Sequence, residues 1–395
     1  MKKIVIIGGG ASGMVAAISA KKENNEVIIL EKNNILGKKI LATGNGRCNY
    51  FNEIQDVSKY SSTTPKLLKE IISIENINMV LDFFNSLGII PKIKNGYYYP
   101  YSNKSENIKK ILEDKIKELG IKVKYNFNIE DISYDNKFII KGNDIVEADS
   151  LIISTGGMAS PITGSTGDGY DFAKKFNHTI ISPRPALTYL KGNDKLQSIW
   201  AGIRVDAKVS LICNNEVVDT EEGELQLTKN GLSGICIFNL STQAIEEEAK
   251  SVEIGINFMP FIEPIMAVEF FKQRKEENCI RVLEGFLNLK LIKAFTEILN
   301  IKEDAKIEEV DIPSLIKLLT DYRFKVEGHG SFEDSQTTSG GVSLEEVNRQ
   351  TFASLKQENL YLTGELLDVS GKCGGYNLTF AWISGISAGL DASIN

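Results

Sequence analysis

The start of the chain alternates between two short apolar runs and one Ala-rich segment. Lys3–Ile7 is an almost continuous β-branched run, which predicts a strand buried on both faces of a parallel sheet. Ala11–Lys22 has the apolar spacing of a helix, and Glu26–Leu30 predicts a second strand. Together these segments predict a βαβ unit.

Further along, the pattern changes to helical spacing and then to short alternating runs. Apolar residues recur every three or four positions in Pro65–Leu87 and Ser105–Leu119, which predicts two covering helical segments, the second stopped by Gly120. Four short apolar runs within Ile121–Ile153 predict a small antiparallel meander that ends in a buried strand, Ser150–Ser154.

The composition shifts again after about Leu190. Residues 191–260 carry alternating runs and are predicted to be β-rich. Residues 264–320 are predicted to be helical, with Pro264 and Pro313 near helix starts. This block has the character of an inserted domain.

The last part of the chain returns to glycine-rich motifs. It follows Val326 and closes with an Ala/Gly/Ile-rich segment, Leu378–Ala392, that predicts a helix. We therefore predict one domain in two parts, residues 1–190 and 326–395, with residues 191–325 inserted between them.

Composition and charge narrow the class of protein. The 395 residues are 42% hydrophobic and 25% charged, as in folded globular proteins of two or three domains. The 45 Lys and Arg against 52 Asp and Glu give a net charge of −7, which lacks the basic excess of nucleic-acid-binding proteins. No segment has the roughly 20 apolar residues of a membrane span. We expect neither a nucleic-acid nor a membrane partner.

Cysteine and histidine usage argues against disulfide and metal sites. The five cysteines are scattered with no pair at CxxC spacing, which favours a reducing, cytoplasmic compartment. Neither of the two histidines has a neighbour at ligand spacing, so we predict no metal. His178 is expected at a helix end or on the surface.

The first chemical motif is a glycine-rich turn between the predicted strand and helix. Gly8 permits the turn, Gly10 lets the backbone approach a pyrophosphate, and Gly13 allows close packing of the helix on the strand. Glu31 ends the second strand, where a carboxylate accepts hydrogen bonds from an adenosine ribose. We predict a dinucleotide site, with a purely structural turn as the alternative. Its predicted contacts are Gly8, Gly10, Ala11, Ser12, Gly13, Glu31 and Lys32.

The end of the chain favours FAD over NAD. Asn359–Leu362 predicts a short apolar strand that leads into Gly364 and Glu365. In two-part FAD domains such a strand returns beside the first βαβ unit, and its acid binds the ribityl chain or the flavin-side phosphate. The helix after Gly374–Asn377 would direct its positive end at the flavin N1/C2=O edge, which becomes anionic on reduction.

Several blocks spread over the chain carry a family resemblance. They are Gly37–Asn49 (GKKILATGNGRCN), Ser154–Gly157 with Gly164–Gly169, Thr338–Val342, and Gly364–Asn377. In these blocks the whole chain resembles the bacterial BaiN/RdsA (YhiN-like) family of NAD(P)/FAD-dependent oxidoreductases, also known as aminoacetone-oxidase-like flavoproteins.

The resemblance implies an α/β fold with a glutathione-reductase-type (Rossmann-like) FAD-binding domain in two parts. A β-barrel-like and helical insert would form the substrate or cap domain over the flavin. The best-defined family member resembles a reductase of conjugated double bonds in oxidised bile acids. The further cofactor contacts predicted from these blocks are Lys39, Thr43, Gly44, Gly46, Arg47, Cys48, Asn49, Thr155, Gly156, Gly157, Gly364, Glu365, Asp368, Gly374, Gly375, Tyr376 and Asn377.

Two residues are candidates for catalysis. The Arg47 guanidinium would stabilise reduced flavin or bind a substrate carbonyl or carboxylate, with a structural salt bridge as the alternative. His329, between two glycines, is a candidate proton donor. A redox dithiol of Cys48 and Cys373 is less favoured than two small cysteines lining a tight loop. The run Tyr97–Tyr99 could line an aromatic pocket, but edge-strand packing is the commoner explanation.

The leading hypothesis is an FAD enzyme that reduces a carbonyl-conjugated C=C bond of a small molecule by hydride transfer from flavin N5, with NAD(P)H as the electron donor. The sequence has no second strand–GxGxxG–helix motif, so NAD(P)H would dock elsewhere, and we expect it against the insert. The alternatives are a flavin-dependent amine oxidase that uses oxygen and a flavin-binding RNA-modification or sensor protein.

Overall fold

The computed structural model describes residues 1–247 and 251–394 and divides the chain into two compact units. Unit 1 comprises Met1–Ala186 and Ser335–Asn395, and unit 2 comprises Leu187–Asp334. The predicted boundaries, after residues 190 and 325, differ because both ends of the insert belong to one sheet. There Leu190 pairs with Leu232 on one side and with His329 on the other.

The elements of the first part of unit 1 follow the chain. Its strands are β1 (Lys2–Ile7), β2 (Asn25–Leu30), β3 (Phe51–Asn52), β4 (Tyr60–Ser61), β5 (Pro91–Lys94), β6 (Tyr97–Pro100), β7 (Lys122–Lys124), β8 (Ile129–Asp135), β9 (Lys137–Gly142), β10 (Ile145–Ala148), β11 (Ser150–Ile153) and β12 (Ile180–Ala186). Its helices are α1 (Ala11–Ala20), α2 (Lys38–Ala42), α3 (Leu68–Ile71), α4 (Ile74–Ser86), α5 (Ser105–Glu118) and α6 (Asp168–Lys175).

Unit 2 and the second part of unit 1 complete the described elements. The strands of unit 2 are β13 (Leu190–Lys191), β14 (Arg204–Cys213), β15 (Glu216–Leu227), β16 (Gly231–Ser233), β17 (Val252–Asn257), β18 (Tyr322–Lys325) and β19 (Gly328–His329). Its helices are α7 (Gln197–Trp200), α8 (Ile235–Glu246), α9 (Pro264–Lys272), α10 (Cys279–Glu284), α11 (Leu289–Leu299) and α12 (Ile312–Thr320). Unit 1 then ends with β20 (Thr337–Val342), β21 (Leu360–Leu362), β22 (Ser370–Gly371) and α13 (Tyr376–Ala392).

A five-stranded parallel sheet forms the centre of unit 1, in the order β21-β11-β1-β2-β7. Its middle strand is buried from Ile4 to Ile7, as the continuous β-branched run predicts. The predicted meander is partly wrong. Strands β8 to β10 form an antiparallel sheet of three, but β7 pairs in parallel with β2 and β11 pairs in parallel with β1.

Helices α1 and α13 pack closely against each other in unit 1. A Cβ added to Gly385 would lie 2.3 Å from the backbone oxygen of Ser12, and one added to Gly389 would lie 2.3 Å from that of Ala16. Larger side chains on α13 would therefore hold the two helices apart. The contact joins the first and last helices of the chain beside one sheet.

Unit 2 is built on a seven-stranded sheet in the order β18-β17-β14-β15-β16-β13-β19, in which every pair is antiparallel. Trp200, Phe271, Phe295 and Phe324 lie in its core. The predicted helical block matches α9 to α12, with Pro264 at the start of α9. Helix α8 lies inside the block predicted to be β-rich, because its apolar residues are spaced for one buried helical face.

Candidate functional site

Helix α1 of unit 1 begins with an open, uncapped N-terminus. Its N-cap, Gly10, makes no side-chain hydrogen bond, and the first turn holds no acidic residue. The Met14 N–H donates to Gly10 O at 3.0 Å, so the preceding N–H groups have no place in the helical ladder. A Cβ on Gly10 would meet no atom within 4 Å. The positive end of α1 therefore has room for an anion such as a pyrophosphate.

The Glu31 carboxylate lies beside this turn at the end of β2. Its Oε2 accepts the Gly9 N–H at 2.7 Å, and its Oε1 accepts the backbone and side-chain N–H groups of Asn33 at 2.7 and 2.8 Å. Glu31 is 6% exposed. The next residue, Lys32, pairs with Asp168 at 2.7 Å instead of pointing to the glycine turn.

Three distant blocks of unit 1 meet in one network around Glu365. Lys39 Nζ lies 2.8 Å from Glu365 Oε2 and also donates to Ala159 O at 3.1 Å. The Thr338 N–H donates to Glu365 Oε1 at 2.9 Å, while Thr338 Oγ1 accepts the N–H groups of Met158 and Ala159. Each Glu365 oxygen thus has a donor, and the block at Gly157 is fixed beside the same carboxylate.

The turn that carries Glu365 is pressed against the start of α1. Gly364 has φ +68, and a Cβ there would lie 2.5 Å from Ser12 Oγ. Its N–H donates to Ser384 Oγ of α13 at 2.9 Å. Only glycine combines this left-handed backbone with so close an approach. The end of β21 is therefore held between α1 and α13.

The loop after α2 is built largely from left-handed residues and presents one exposed guanidinium. Gly44, Asn45, Gly46 and Cys48 have φ between 53 and 79°. Arg47 between them is exposed, its Nε donates to Gly44 O at 3.2 Å, and its guanidinium lies 5.4 Å from the Tyr99 ring centroid.

The structure gives no support for a salt bridge at Arg47. No carboxylate among the described residues pairs with its guanidinium. Near the start of the same loop, Thr43 Oγ1 donates to Ile40 O at 2.6 Å, so that hydroxyl caps the end of α2. Arg47 is therefore held by its own loop and by an aromatic ring, with its charge open to a ligand.

Cys48 and Asn49 lie inward from Arg47. The Cys48 side chain is 0% exposed, and burial raises the pKa of its thiol to about 12. It lines the loop without presenting sulfur to solvent. Asn49 Oδ1 is buried, accepts no hydrogen bond, and would lie 3.1 Å from a Cβ on Gly375. A buried acceptor without a donor is costly, so it marks a place for a ligand N–H or O–H.

Helix α13 provides a second uncapped N-terminus next to Asn49. Its N-cap Gly375 has φ 93, makes no side-chain hydrogen bond, and precedes a first turn without acidic residues. Asn377 Oδ1 accepts the Gly371 N–H at 2.8 Å, while Asn377 Nδ2 donates to Gly371 O at 2.7 Å. Asn52 Nδ2 donates to Gly374 O at 2.9 Å. The loop before α13 is thus fixed while the helix end stays open.

Other predicted contacts have structural partners. Asp368 is 2% exposed, and its Oδ2 accepts hydrogen bonds from Thr63 and Ser62. Thr155 Oγ1 packs tightly against α6: a Cβ on Gly169 of that helix would lie only 1.9 Å from the hydroxyl oxygen. Tyr376 is 6% exposed and packs edge-on against another tyrosine. Gly156, which follows Thr155 in the chain, has a left-handed backbone with φ +74.

His329 belongs to unit 2, whereas the residues above belong to unit 1. Its Nδ1–H donates to Gly330 O at 2.7 Å. With Leu190, Ala244 and Glu327 among other residues it lines a cavity of about 300 Å³ within unit 2. A proton-donor role for His329 therefore stays a prediction.

Sequence reasoning did not assign two groups of residues at this site. Thr338 lies in a block that resembles the family, but its hydrogen bonds to three distant backbone and carboxylate groups follow only from the tertiary fold. Tyr97 and Tyr99 alternate along β6, and that period of two is the signal that both rings share one face.

Two further features, a cluster of metal ligands and a membrane-spanning helix, concern the described residues alone. Within residues 1–247 and 251–394, no three His, Cys, Asp or Glu side chains are grouped to hold a metal ion. Over the same residues, no helix combines the length and apolar character needed to span a membrane.

The residues of unit 1 fit FAD. Two uncapped helix N-termini suit a pyrophosphate and an electron-rich ring edge. The buried Glu31 carboxylate suits a ribose, because its Oε2 accepts one hydrogen bond and keeps a second acceptor position. The unpaired Asn49 Oδ1 offers an acceptor between the Arg47 loop and α13.

The chain is similar to known bacterial enzymes along most of its length. Over 92% of this chain and 91% of the relative, it is 36% identical to the 3-dehydro-bile acid delta(4,6)-reductase of Clostridium scindens. Over 91% of this chain and 90% of the relative, it is 26% identical to a ribosomal RNA dihydrouridine synthase of Haemophilus influenzae.

Solved structures share the fold. A 3-ketosteroid delta1-dehydrogenase from Sterolibacterium denitrificans matches with a TM-score of 0.52 at 11% identity, over 100% of both chains. An open-conformation flavocytochrome c3 fumarate reductase matches with a TM-score of 0.50 at 15% identity, over 99% of this chain and 78% of that one. Because the HI0933-like protein Rossmann domain matches residues 2–391, this chain belongs to that family and is an FAD-dependent oxidoreductase.

Proposed function

We propose that this protein uses NAD(P)H to reduce a carbon–carbon double bond conjugated to a carbonyl in a small, steroid-like acid. The 36% identity to a 3-dehydro-bile acid delta(4,6)-reductase over 92% of the chain carries the proposal. An exposed, unpaired guanidinium at Arg47 supports it, because a cation beside the reacting bond favours charge that develops on a conjugated carbonyl oxygen.

The residues that would hold FAD come from both chain segments of unit 1. We assign the pyrophosphate to the turn from Gly8 to Gly13 and the adenosine ribose to Glu31. We assign the flavin end of FAD to the Lys39–Glu365 pair, the loop from Thr43 to Asn49 and the start of α13. FAD, when bound, supplies a carrier of hydride between donor and substrate.

Within this arrangement the chain supplies orientation and charge. The open start of α13 would offer partial positive charge to the flavin edge that becomes anionic on reduction. Arg47 orients the substrate through its carbonyl or carboxylate. One proton accompanies hydride transfer, and His329 stays the candidate donor that its sequence context suggests.

A second candidate substrate is uridine in RNA. The 26% identity to ribosomal RNA dihydrouridine synthases over 90–91% of the chain favours it. Uridine also carries a C=C bond conjugated to a carbonyl, so the same hydride chemistry would apply. The net charge of −7 and the lower identity make the small-molecule substrate our first proposal.

The direct experiment offers both substrate classes to the purified holoenzyme without oxygen. NADPH or NADH is supplied with a 3-oxo bile acid whose C=C bond is conjugated to the ketone, with the same acid bearing an isolated C=C bond, or with a uridine-containing RNA. We expect only the conjugated acid to gain two hydrogen atoms by mass spectrometry. Reduction of RNA alone would replace the first proposal by the second.

Arg47 provides the matched test of the site. We expect Arg47→Met to lower kcat/KM for the conjugated acid about 100-fold while FAD stays bound. Arg47→Lys should recover part of that loss. Arg281→Met, at an exposed arginine of α10, is the control and should behave as wild type. Equal kcat/KM values for the Arg47 and Arg281 variants would remove Arg47 from the catalytic site.

A further inference from the structure

The hairpin of β5 and β6 carries two rings opposite two ammonium groups. Its register pairs Lys92 with Tyr99 and Lys94 with Tyr97. Directly opposed residues of an antiparallel pair project from the same face, with Cβ atoms about 5 Å apart. These four residues therefore form one face, which we call the hairpin face.

The reverse side of the hairpin is used for packing. Tyr98 stacks edge-on against buried Phe51 with ring centroids 5.2 Å apart. Glu53, just beyond the end of β3, donates its N–H to Gly96 O at 2.8 Å. Its carboxylate forms no ion pair with Lys92 or Lys94.

The hairpin face is open to solvent and positively charged. Lys92 and Lys94 are exposed, and Tyr97 and Tyr99 are half-buried. Neither lysine forms an ion pair with a described carboxylate. By contrast, Lys109 is paired with Glu113 on a neighbouring helix at 2.7 Å. The two ammonium groups are therefore available to an anion.

The hairpin face adjoins both loops assigned to the flavin end. A Cβ on Gly374 would lie 2.8 Å from Tyr97 Cε1, and one on Gly44 would lie 3.9 Å from Tyr99 Cε1. The Arg47 guanidinium lies 5.4 Å from the Tyr99 ring centroid. A molecule bound on the hairpin face would thus reach the start of α13 and the Arg47 loop.

The chemistry of the hairpin face selects a compact ligand that has both rings and phosphates. Phenol rings stack on planar bases, and ammonium groups bind phosphate. Four strand residues span only about 13 Å, which suits a dinucleotide and is short for a polymer. The net charge of −7 further disfavours a long polyanion.

We propose that the hairpin face, Lys92, Lys94, Tyr97 and Tyr99, is the docking site of the pyridine dinucleotide donor. The inference rests on the proposed function, which requires a donor, and it assigns that donor to unit 1 in place of the insert. In the overall reaction NAD(P)H gives up a hydride and becomes NAD(P)⁺, and that hydride together with one proton from solvent saturates the C=C bond. FAD held in unit 1 would carry the two electrons between them.

The test combines a charge reversal with a matched control. The holoenzyme variant K92E/K94E is compared with K69E/K117E, which makes the same charge change at two exposed lysines of α3 and α5. Binding of NADP⁺ and NAD⁺ is measured by calorimetry at two salt concentrations, and flavin reduction is followed with NADPH, NADH and dithionite. A Tyr97→Leu, Tyr99→Leu variant tests stacking without a charge change.

We expect K92E/K94E to bind the dinucleotide at least about tenfold more weakly than wild type. Its affinity for the dinucleotide should no longer depend on the salt concentration. Reduction by dithionite and FAD content should be unchanged, and K69E/K117E should match wild type. Equal dinucleotide binding by both charge variants would overturn the docking site. The same conclusion would follow if an oligouridine, used as a second probe in the same calorimetry, were the only ligand that K92E/K94E binds more weakly. A wild-type flavin that reduces the conjugated acid after dithionite but never accepts electrons from NAD(P)H would overturn the docking site and the NAD(P)H donor of the proposed function, while reduction of the C=C bond would stand.

Discussion

Lys39 Nζ and Glu365 Oε2 lie 2.8 Å apart although 326 residues separate them in the chain. The pair joins α2, the helix after the first βαβ unit, to the turn after β21 of the parallel sheet. Both side chains are largely shielded, with 25% and 18% exposure. It is therefore one of the contacts by which the two parts of unit 1 hold each other in place.

Breaking this pair should cost both stability and cofactor affinity. We expect Lys39→Met to lower the free energy of unfolding by about 1–3 kcal/mol, because Glu365 keeps only its Thr338 donor. FAD binding should weaken about tenfold. Lys110→Met removes an exposed pair and should change neither the unfolding free energy nor FAD binding measurably. Urea unfolding and flavin fluorescence titration measure the two effects, and equal losses in both variants would contradict this role.

Two glycines of the first turn should respond differently to alanine. A Cβ on Gly10 meets nothing within 4 Å, whereas one on Gly13 would lie 1.9 Å from Gly8 O. Gly10→Ala should therefore change apoprotein stability by less than about 1 kcal/mol while it weakens FAD binding, since it fills the space for the pyrophosphate. Gly13→Ala should lower stability of the apoprotein itself. Normal FAD affinity in Gly10→Ala would argue against a pyrophosphate at this turn.

Cys48 should be chemically silent in the folded protein. Its thiol is buried with a pKa raised to about 12, so almost none of it is thiolate at pH 8. Cys373 is half-buried. We expect iodoacetamide to alkylate Cys373 first and Cys48 only after unfolding, as read by peptide mass spectrometry. A Cys48–Cys373 disulfide that forms and breaks with the redox state of the flavin would revive the dithiol hypothesis.

The parallel sheet and the glycine turn could be predicted because their signals are local. β1, α1 and β2 each follow from a run of neighbouring residues, and Gly13 is needed wherever a helix packs on the preceding strand. Glu31 follows from its position at the end of β2. The insert was recognised from its change of composition, although its boundaries depend on the pairing of Leu190 with His329.

The contacts that unite the site could not be predicted, because they join distant segments. Nothing near Thr338 indicates that its hydroxyl accepts two N–H groups from the block at Met158. Asp368 and Glu365 are both acidic residues of the same glycine-containing block, so the sequence does not distinguish them. In the structure the Asp368 carboxylate accepts hydrogen bonds from Ser62 and Thr63. His178 ends a helical segment as expected, yet it is 4% exposed and not on the surface.

The buried His178 and its partner Glu346 predict how stability depends on pH. Burial lowers the pKa of His178, although Glu346 opposes that shift. For Glu346, burial acts to raise the pKa, but hydrogen bonds from Lys356 and Thr179 outweigh it and lower the pKa from 4.5 to about 2. In both cases the unfolded chain binds protons more readily, so stability falls as pH falls.

The expected profile has two regions. Stability should decline below about pH 6.5 as protons bind His178 in the unfolded chain, and again between about 4.5 and 2 from Glu346. Glu346→Gln should remove the decline in stability at the lower pH values, which comes from Glu346. Glu147→Gln, at an exposed site, should leave that decline unchanged. Urea unfolding at pH 7, 5 and 3 measures this, and parallel profiles for the two variants would contradict the assignment.

We propose that this chain holds FAD and passes electrons from NAD(P)H to a carbonyl-conjugated double bond. The most direct measurement is the visible spectrum of the purified protein without oxygen, first with NADPH or NADH and then with a conjugated 3-oxo bile acid. We predict that the donor bleaches the bound flavin and that the acid restores its colour. A protein that binds no flavin and cannot be reconstituted would contradict the claim, and a flavin reduced only by amines and reoxidised only by oxygen would point to an amine oxidase.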